Sequence, residues 1–154
     1  MDKNIAIVDG YASEHIESLK LLISEYIATW YSVGEVWNEK DMKLVSELGI
    51  LQDELNHAGL LALVNEVPAG CVLIMPHDET SLEVLKLYVR LEFREHGVGR
   101  KLMQNASQRV TGAGKGIWGK VEATRAPAIS LYKSMGLITG DTEIIDGFIE
   151  SDKP

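Results

Sequence analysis

The sequence predicts an α/β (α+β) fold in which a mixed central sheet is flanked by helices. Three observations carry that expectation. Apolar runs with strand spacing and with helical spacing interleave along the whole chain, in the order β-α-α-β-β-β-α-β-α-β. Leu60–Val64 and Gly70–Met75 are separated only by Asn65–Ala69, which reads as a hairpin with a turn of about five residues. Leu82–Val110 reads as a buried strand, a glycine-containing loop and an amphipathic helix.

The elements follow in order. Asn4–Asp9 is a short first strand ended by Asp9-Gly10. Ser13 serves as N-cap of the first helix, with Glu14 and Glu17 in its first turn, where the helix dipole favours acids. Ile16, Leu19, Ile23, Tyr26, Ile27 and Trp30 form its apolar stripe, and Gly34 breaks the pattern. A second helix from about Asn38 carries Met42, Val45 and Leu48 inward and stops at Gly49. Asp53–Gly59 is a polar loop before the hairpin, and Pro76–Thr80 is a loop after it. Strand Leu82–Val89 leads to the Gly97–Gly99 loop, and Leu102, Met103, Ala106 and Val110 share one face of the helix beyond. Thr111–Gly116 is a glycine-rich turn and Ile117–Ala123 a strand. Pro127 opens a short helix that Gly136 closes, and Ile144–Ile149 is a last strand.

Composition bounds the function. The 154 residues make one domain, 1–154, large enough to bury a core. A formal net charge of −8 argues against nonspecific binding to nucleic acid or an anionic membrane. The single cysteine, Cys71, excludes an internal disulfide, and it reads as a packed core thiol. His15, His57 and His77 show no ligand spacing and His96 falls in the glycine loop, so no metal is expected. With neither a signal peptide nor an apolar run of bilayer length, the expectation is a cytoplasmic protein.

The chemistry concentrates at the Gly97–Gly99 loop. Glycines that open a helix leave backbone N–H groups unpaired at its positive end, which is a site for phosphate. Gly112-Ala113-Gly114-Lys115-Gly116 is not a P-loop, since it follows a helix and lacks the Gly-Lys-Ser/Thr spacing. No Gly-x-Gly-x-x-Gly follows the first strand, and no Gly-x-Ser-x-Gly elbow is present.

Leu87-Tyr88-Val89, Arg94-x-x-Gly97-x-Gly99 and Leu102 together resemble the acetyl-CoA signature of the GNAT superfamily of N-acetyltransferases. A second block, Ala128-Ile129-Ser130-Leu131-Tyr132-Lys133-Ser134-Met135-Gly136-Leu137, is similar to that family's A-x-x-x-Y-x-x-x-G-F block and follows at the usual separation. Leu91, Glu95, Arg125 and Leu137 depart from residues common in relatives: proline, glycine, asparagine and phenylalanine respectively. The resemblance implies a mixed, mostly antiparallel central sheet and an acyl-CoA N-acyltransferase fold. It also implies acetyl-CoA as co-substrate and direct transfer of acetyl to a primary amine in a ternary complex.

The family's residue roles follow by position. The backbone of Glu95, His96, Gly97, Val98, Gly99, Arg100 and Lys101 would hold the pyrophosphate. Arg94, Arg100 or Lys101 would add charge, or Arg100 and Lys101 would simply form a solvated helix face. The pantetheine arm would run beside Leu87, Tyr88 and Val89, pairing with main chain at Leu87 and Val89, and the Val89 N–H would polarise the acetyl carbonyl. Tyr132 is either the general acid for the leaving thiolate or a packing aromatic. The base is either Glu83, placed as in the histone-acetylating branch, or an ordered water. Trp37, Glu35 and Trp30 are candidate acceptor contacts in a region that also holds Tyr26, Tyr31, Glu25 and Glu39, although Trp30 and Tyr26 fall on the apolar stripe. The acceptor would be a small-molecule or peptide amine, and the family accommodates homodimers. The alternative is a non-catalytic acyl-CoA-binding or regulatory module on the same fold.

Overall fold

The strand-like runs read from the sequence pair into one sheet, β1-β2-β3-β4-β5. The computed structural model describes residues 4–29, 39–48, 57–119, 130–131 and 133–135. Among these residues the strands are β1 (Ile5–Asp9), β2 (Ala58–Val64), β3 (Val67–Pro76), β4 (Ser81–Val89) and β5 (Gly116–Trp118). The first four pair antiparallel, and β5 runs parallel to β4 over Ser81–Glu83. The mixed, mostly antiparallel sheet is therefore as expected. The strand expected at Ile144–Ile149, and the ends of the segment around Pro127–Gly136, lie outside the described residues.

Helices cover both faces. On one face α3 (Val98–Gly112) buries Val98, Leu102, Met103, Ala106 and Val110 against Ala58, Leu60, Val72, Ile74, Leu82 and Val84. On the other, α1 (Ile16–Ala28) and α2 (Glu39–Glu47) pack Leu19, Leu22, Ile23 and Ile27 with Leu48 against Leu61, Cys71 and Leu73. Alternate residues of β2 and β3 serve opposite cores because side chains along a strand alternate in direction. Cys71 is fully buried, and burial pushes its thiol far above the ordinary range, as for a packing residue.

Three local expectations are corrected. The β2–β3 turn is two residues, Asn65-Glu66, because Val64 already faces Val67. Both turn residues have positive φ, 50° and 71°, the sign that a tight hairpin matching the strand twist needs. The ladder shifts by one residue beyond it, between Ala62 and Leu63. The first helix begins at Ile16 with His15 as N-cap, not at Ser13. Upstream, the Asp9 carboxylate accepts the Tyr11 N–H and the Ala12 carbonyl accepts both His15 and Ile16, so a separate turn precedes the helix. Met42 is exposed at 51%, not inward. With Leu48 buried, the residues one turn back on the same face are Leu44 and Val45, and both pack there.

The feature that shapes the site is a bulge in β4. Cys71 faces Tyr88 and Leu73 faces Leu85, so Lys86 and Leu87 share the single residue Val72 opposite. Lys86 takes φ 59° there. The extra residue reverses the alternation: Leu82 and Val84 point to the α3 core, Leu85 points away, and beyond the bulge Leu87 and Val89 return to the α3 core. Tyr88 packs on the α1 face.

Candidate active site

The end of β4 presents its main chain to one side. Arg90 N–H donates to the Ala69 carbonyl at 2.8 Å. Because an antiparallel ladder alternates, Val89 then directs its N–H and C=O away from β3. The Val89 carbonyl accepts Arg94 Nε at 2.8 Å on that side. Among the described residues, β5 pairs with β4 only at Ser81–Glu83, at the far end of the strand.

The chain next makes a 3-10 turn, Leu91–Phe93, and enters α3 through a loop held in unusual backbone conformations. Glu95 has φ 66° and Gly97, the N-cap, has φ 85°, where only glycine is unstrained. Among the described residues no side chain caps the α3 N-terminus. The first turns of α1 and α2 carry acids, Glu17 in α1 and Glu39 and Asp41 in α2, whereas that of α3 has none. The first-turn N–H groups of α3 have no intrahelical acceptor, so this end suits an anion.

Gly99 adds a second indication. A Cβ built there would lie 3.4 Å from Leu131 Cδ2 and 3.6 Å from Val89 Cγ2, both ordinary contact distances. Among the described residues, packing alone does not demand glycine at this position, and its absence of a side chain leaves the main chain open to close approach. Leu131 and Met135 belong to the second sequence block and pack against the α3 core. Ser134 Oγ accepts Arg100 Nη2 at 2.6 Å. The two blocks that stand far apart in sequence therefore meet at the α3 N-terminus.

The sequence matches the model of the Acetyltransferase (GNAT) family over residues 19–137. The chain belongs to that family. No curated protein matches it. Among solved structures, a GNAT-family acetyltransferase from Staphylococcus aureus Mu50 superposes with TM-score 0.71 at 17% identity, covering 87% of this chain and 83% of that one. The PaiA N-acetyltransferase of Thermoplasma acidophilum, in complex with coenzyme A, gives 0.68 at 22% identity and covers 94% and 96%. The ribosomal-protein-S18-alanine N-acetyltransferase of Escherichia coli gives 0.65 at 17% identity and covers 89% and 79%. These likenesses establish the GNAT acyl-CoA N-acyltransferase fold. Among the described residues no helix is long and apolar enough to cross a membrane.

Within this GNAT domain the expected site residues are distributed as follows. Leu87 and Val89 lie side by side on the α3 face of β4, with Tyr88 between them on the other face. Glu95, His96 and Gly97 form the exposed loop, and Val98 is buried beneath it. The three cations are already engaged: Arg94 on the Val89 carbonyl, Arg100 on Ser134, and Lys101 Nζ on the Ile5 carbonyl at 2.8 Å. Glu83 stands opposite Met75 and Trp118, near the start of β4. Six residues of strand place it about 20 Å from Val89. Tyr132, Trp30, Glu35 and Trp37 lie outside the described residues.

A polar cluster on the α1 face was not read from the sequence. Arg90 clasps Glu25 of α1 through two bonds, Nε to Oε1 at 3.0 Å and Nη2 to Oε2 at 2.6 Å. The Tyr88 hydroxyl donates to Glu25 Oε1 at 3.1 Å. The Arg90 bond holds the Glu25 carboxyl below its ordinary range, while burial and then that carboxylate push the Tyr88 phenol up. Lys86 reaches Asp41 of α2 at 3.2 Å and sits 5.7 Å above the Tyr26 ring. The available signal was Lys86 within the apolar second half of β4 and Arg90 directly after it.

Proposed function

We propose that this GNAT domain is an acetyl-CoA-dependent N-acetyltransferase of the cytoplasm that acts on a primary amine by direct attack in a ternary complex. The observation that carries the reading is the uncapped, acid-free N-terminus of α3 beside main-chain groups of Val89 that face away from β3. Backbone N–H groups from Glu95 to Lys101 hold the pyrophosphate. Since Arg100 and Lys101 are engaged with protein acceptors, the main chain supplies most of the grip. The pantetheine arm lies along Leu87 and Val89, and the Val89 N–H donates to the thioester oxygen as charge develops on it. The amine nitrogen attacks the carbonyl carbon, the C–S bond breaks, and the thiolate takes a proton from Tyr132, whose class of side chain has a pKa not far above a thiol's. An ordered water serves as base in preference to Glu83, because Glu83 stands near the other end of β4.

The acceptor is a small-molecule or peptide amine, lined by the segment holding Trp30, Glu35 and Trp37. Glu25 is not counted among its contacts, because its charge is already paired with Arg90 and its Oε1 also accepts Tyr88.

Calorimetric titration with acetyl-CoA tests the reading. Gly99→Glu is the informative variant, since Gly97 is held at positive φ and any substitution there adds strain. Micromolar binding by the wild type, lost in a Gly99→Glu protein of unchanged melting temperature, supports the cofactor site. Absence of binding by the wild type overturns it. Tyr132→Phe then separates catalysis from sensing: an enzyme keeps acetyl-CoA affinity and loses thiol release, whereas an acyl-CoA-binding module has no thiol release to lose.

A further inference from the structure

We propose that Arg94 is a positioning residue for acyl transfer, acting through the Val89 carbonyl as well as supplying charge near the pyrophosphate. The inference rests on the acetyltransferase reading for its chemistry, and on the described bonds for its geometry.

The peptide unit between Val89 and Arg90 is planar, so its C=O and N–H move together. Its N–H donates to the Ala69 carbonyl at 2.8 Å, and its C=O accepts Arg94 Nε at 2.8 Å. The unit is thereby pinned at both edges. Its Arg90 end is held further, because the Arg90 side chain grips Glu25 and donates through Nη1 to the Pro68 carbonyl at 3.3 Å. Of these restraints only the Arg94 bond comes from the far side of β4, where the thioester would lie. Val89 N–H belongs to the preceding peptide and shares its Cα with the pinned unit. Removing Arg94 leaves the unit held from the β3 and α1 sides alone, which loosens rotation about Val89 and lets that N–H stray from the direction in which it would meet the oxyanion.

The same side chain joins two parts of the site. Arg94 follows the turn in which Phe93 N–H donates to the Arg90 carbonyl and Arg94 N–H to that of Leu91, and it immediately precedes the Glu95–Gly97 loop. Its Nε bond uses one of the five donors of a planar guanidinium, so the opposite edge can face an anion while Nε stays on Val89. A lysine carries the charge without the second donor edge. Arg94 is exposed, which makes the bond modest in the free protein. A ligand laid along β4 would shield it from water and strengthen it.

The test compares acetyl-CoA with S-acetyl-pantetheine, a donor that has no pyrophosphate, using whichever primary amine serves the wild type. Arg94→Gln should lower kcat with S-acetyl-pantetheine by about tenfold to a hundredfold, the scale of a displaced oxyanion donor. Arg94→Lys should recover acetyl-CoA affinity while leaving the S-acetyl-pantetheine rate depressed. Amide exchange at Arg90 in the free protein, followed by NMR, should quicken about fivefold in Arg94→Gln, as loss of one modest bond predicts. A variant that loses activity with acetyl-CoA alone, and keeps the S-acetyl-pantetheine rate, overturns the proposal and leaves Arg94 a pyrophosphate contact. Should neither donor turn over in the wild type with any amine, the acetyltransferase reading fails. Exchange at Arg90 then decides by itself whether Arg94 pins the peptide, and an unchanged rate refutes it.

Discussion

The end of β4 serves two regions built by different physics. On the α3 face, Leu87 and Val89 add to a core of aliphatic side chains, and the proposed cofactor loop sits directly above it. On the α1 face, Lys86, Tyr88 and Arg90 meet Asp41 and Glu25, and charge and hydrogen bonding hold the strand to the helices. A strand without a bulge would have kept its even-numbered residues on the α3 face, with Leu82 and Val84. Lys86 in the left-handed region moves its own side chain and that of Tyr88 across. The same shift directs the Val89 main chain away from β3. One backbone irregularity thus sorts polar from apolar side chains and turns the Val89 main-chain groups away from β3.

Removing burial from one face and charge from the other should have different consequences. Leu102 is fully buried in α3 beneath the loop. Leu102→Ala should cost about 2–5 kcal/mol in urea unfolding, with little dependence on pH, because both the lost transfer energy and the cavity are apolar. Glu25→Ala should cost less, about 1–2 kcal/mol at neutral pH, the scale of hydrogen bonds to a partly screened charge.

The Glu25 loss should also depend on pH in a defined direction. The Arg90 bond holds the native Glu25 carboxyl below its ordinary value. A carboxyl whose native pKa is depressed contributes stability that is fully present above the unfolded value, about pH 4.3, and is lost as pH falls through the native one. Wild-type and Glu25→Ala unfolding curves should therefore converge in acid, whereas wild type and Leu102→Ala should stay apart. A pH-independent Glu25→Ala deficit would mean that this face, too, is held by packing.

The two faces also differed in how far the sequence disclosed them. The α3 side was legible because its signals are local: branched residues at Leu82–Val89, glycines at 97 and 99, and a helical stripe from Leu102 to Val110. Arg94-x-x-Gly97-x-Gly99 forms the expected loop because glycine at positive φ is a property of a few adjacent residues. The α1 side was hidden because it depends on Lys86, a residue that gives no signal for a bulge. Without the bulge, nothing places Arg90 and Tyr88 on Glu25. Contacts between the sequence blocks, such as Leu131 near Gly99, need the whole sheet before they exist. The hairpin is hard to read for a related reason: Pro68 and Ala69 break the apolar run that begins at Gly70, yet Val67 and Pro68 already pair with β2 and leave only Asn65-Glu66 to turn.

The Asn65-Glu66 turn belongs to neither face. Glu66 is exposed, has φ 71° and takes the second turn position, where glycine is the preferred residue. Glu66→Gly should stabilise the protein by about 0.5–1 kcal/mol, since relief of left-handed strain outweighs the added freedom of the unfolded chain. The gain should appear as a higher urea midpoint at unchanged slope. Because the turn only fixes the register from which both faces of β3 follow, neither the acid convergence of Glu25→Ala nor acetyl-CoA affinity should move with it. A Glu66→Gly protein that gained stability but lost affinity would show that the turn strain is transmitted through β3 to Val89, and that the two regions are less separable than their chemistry suggests.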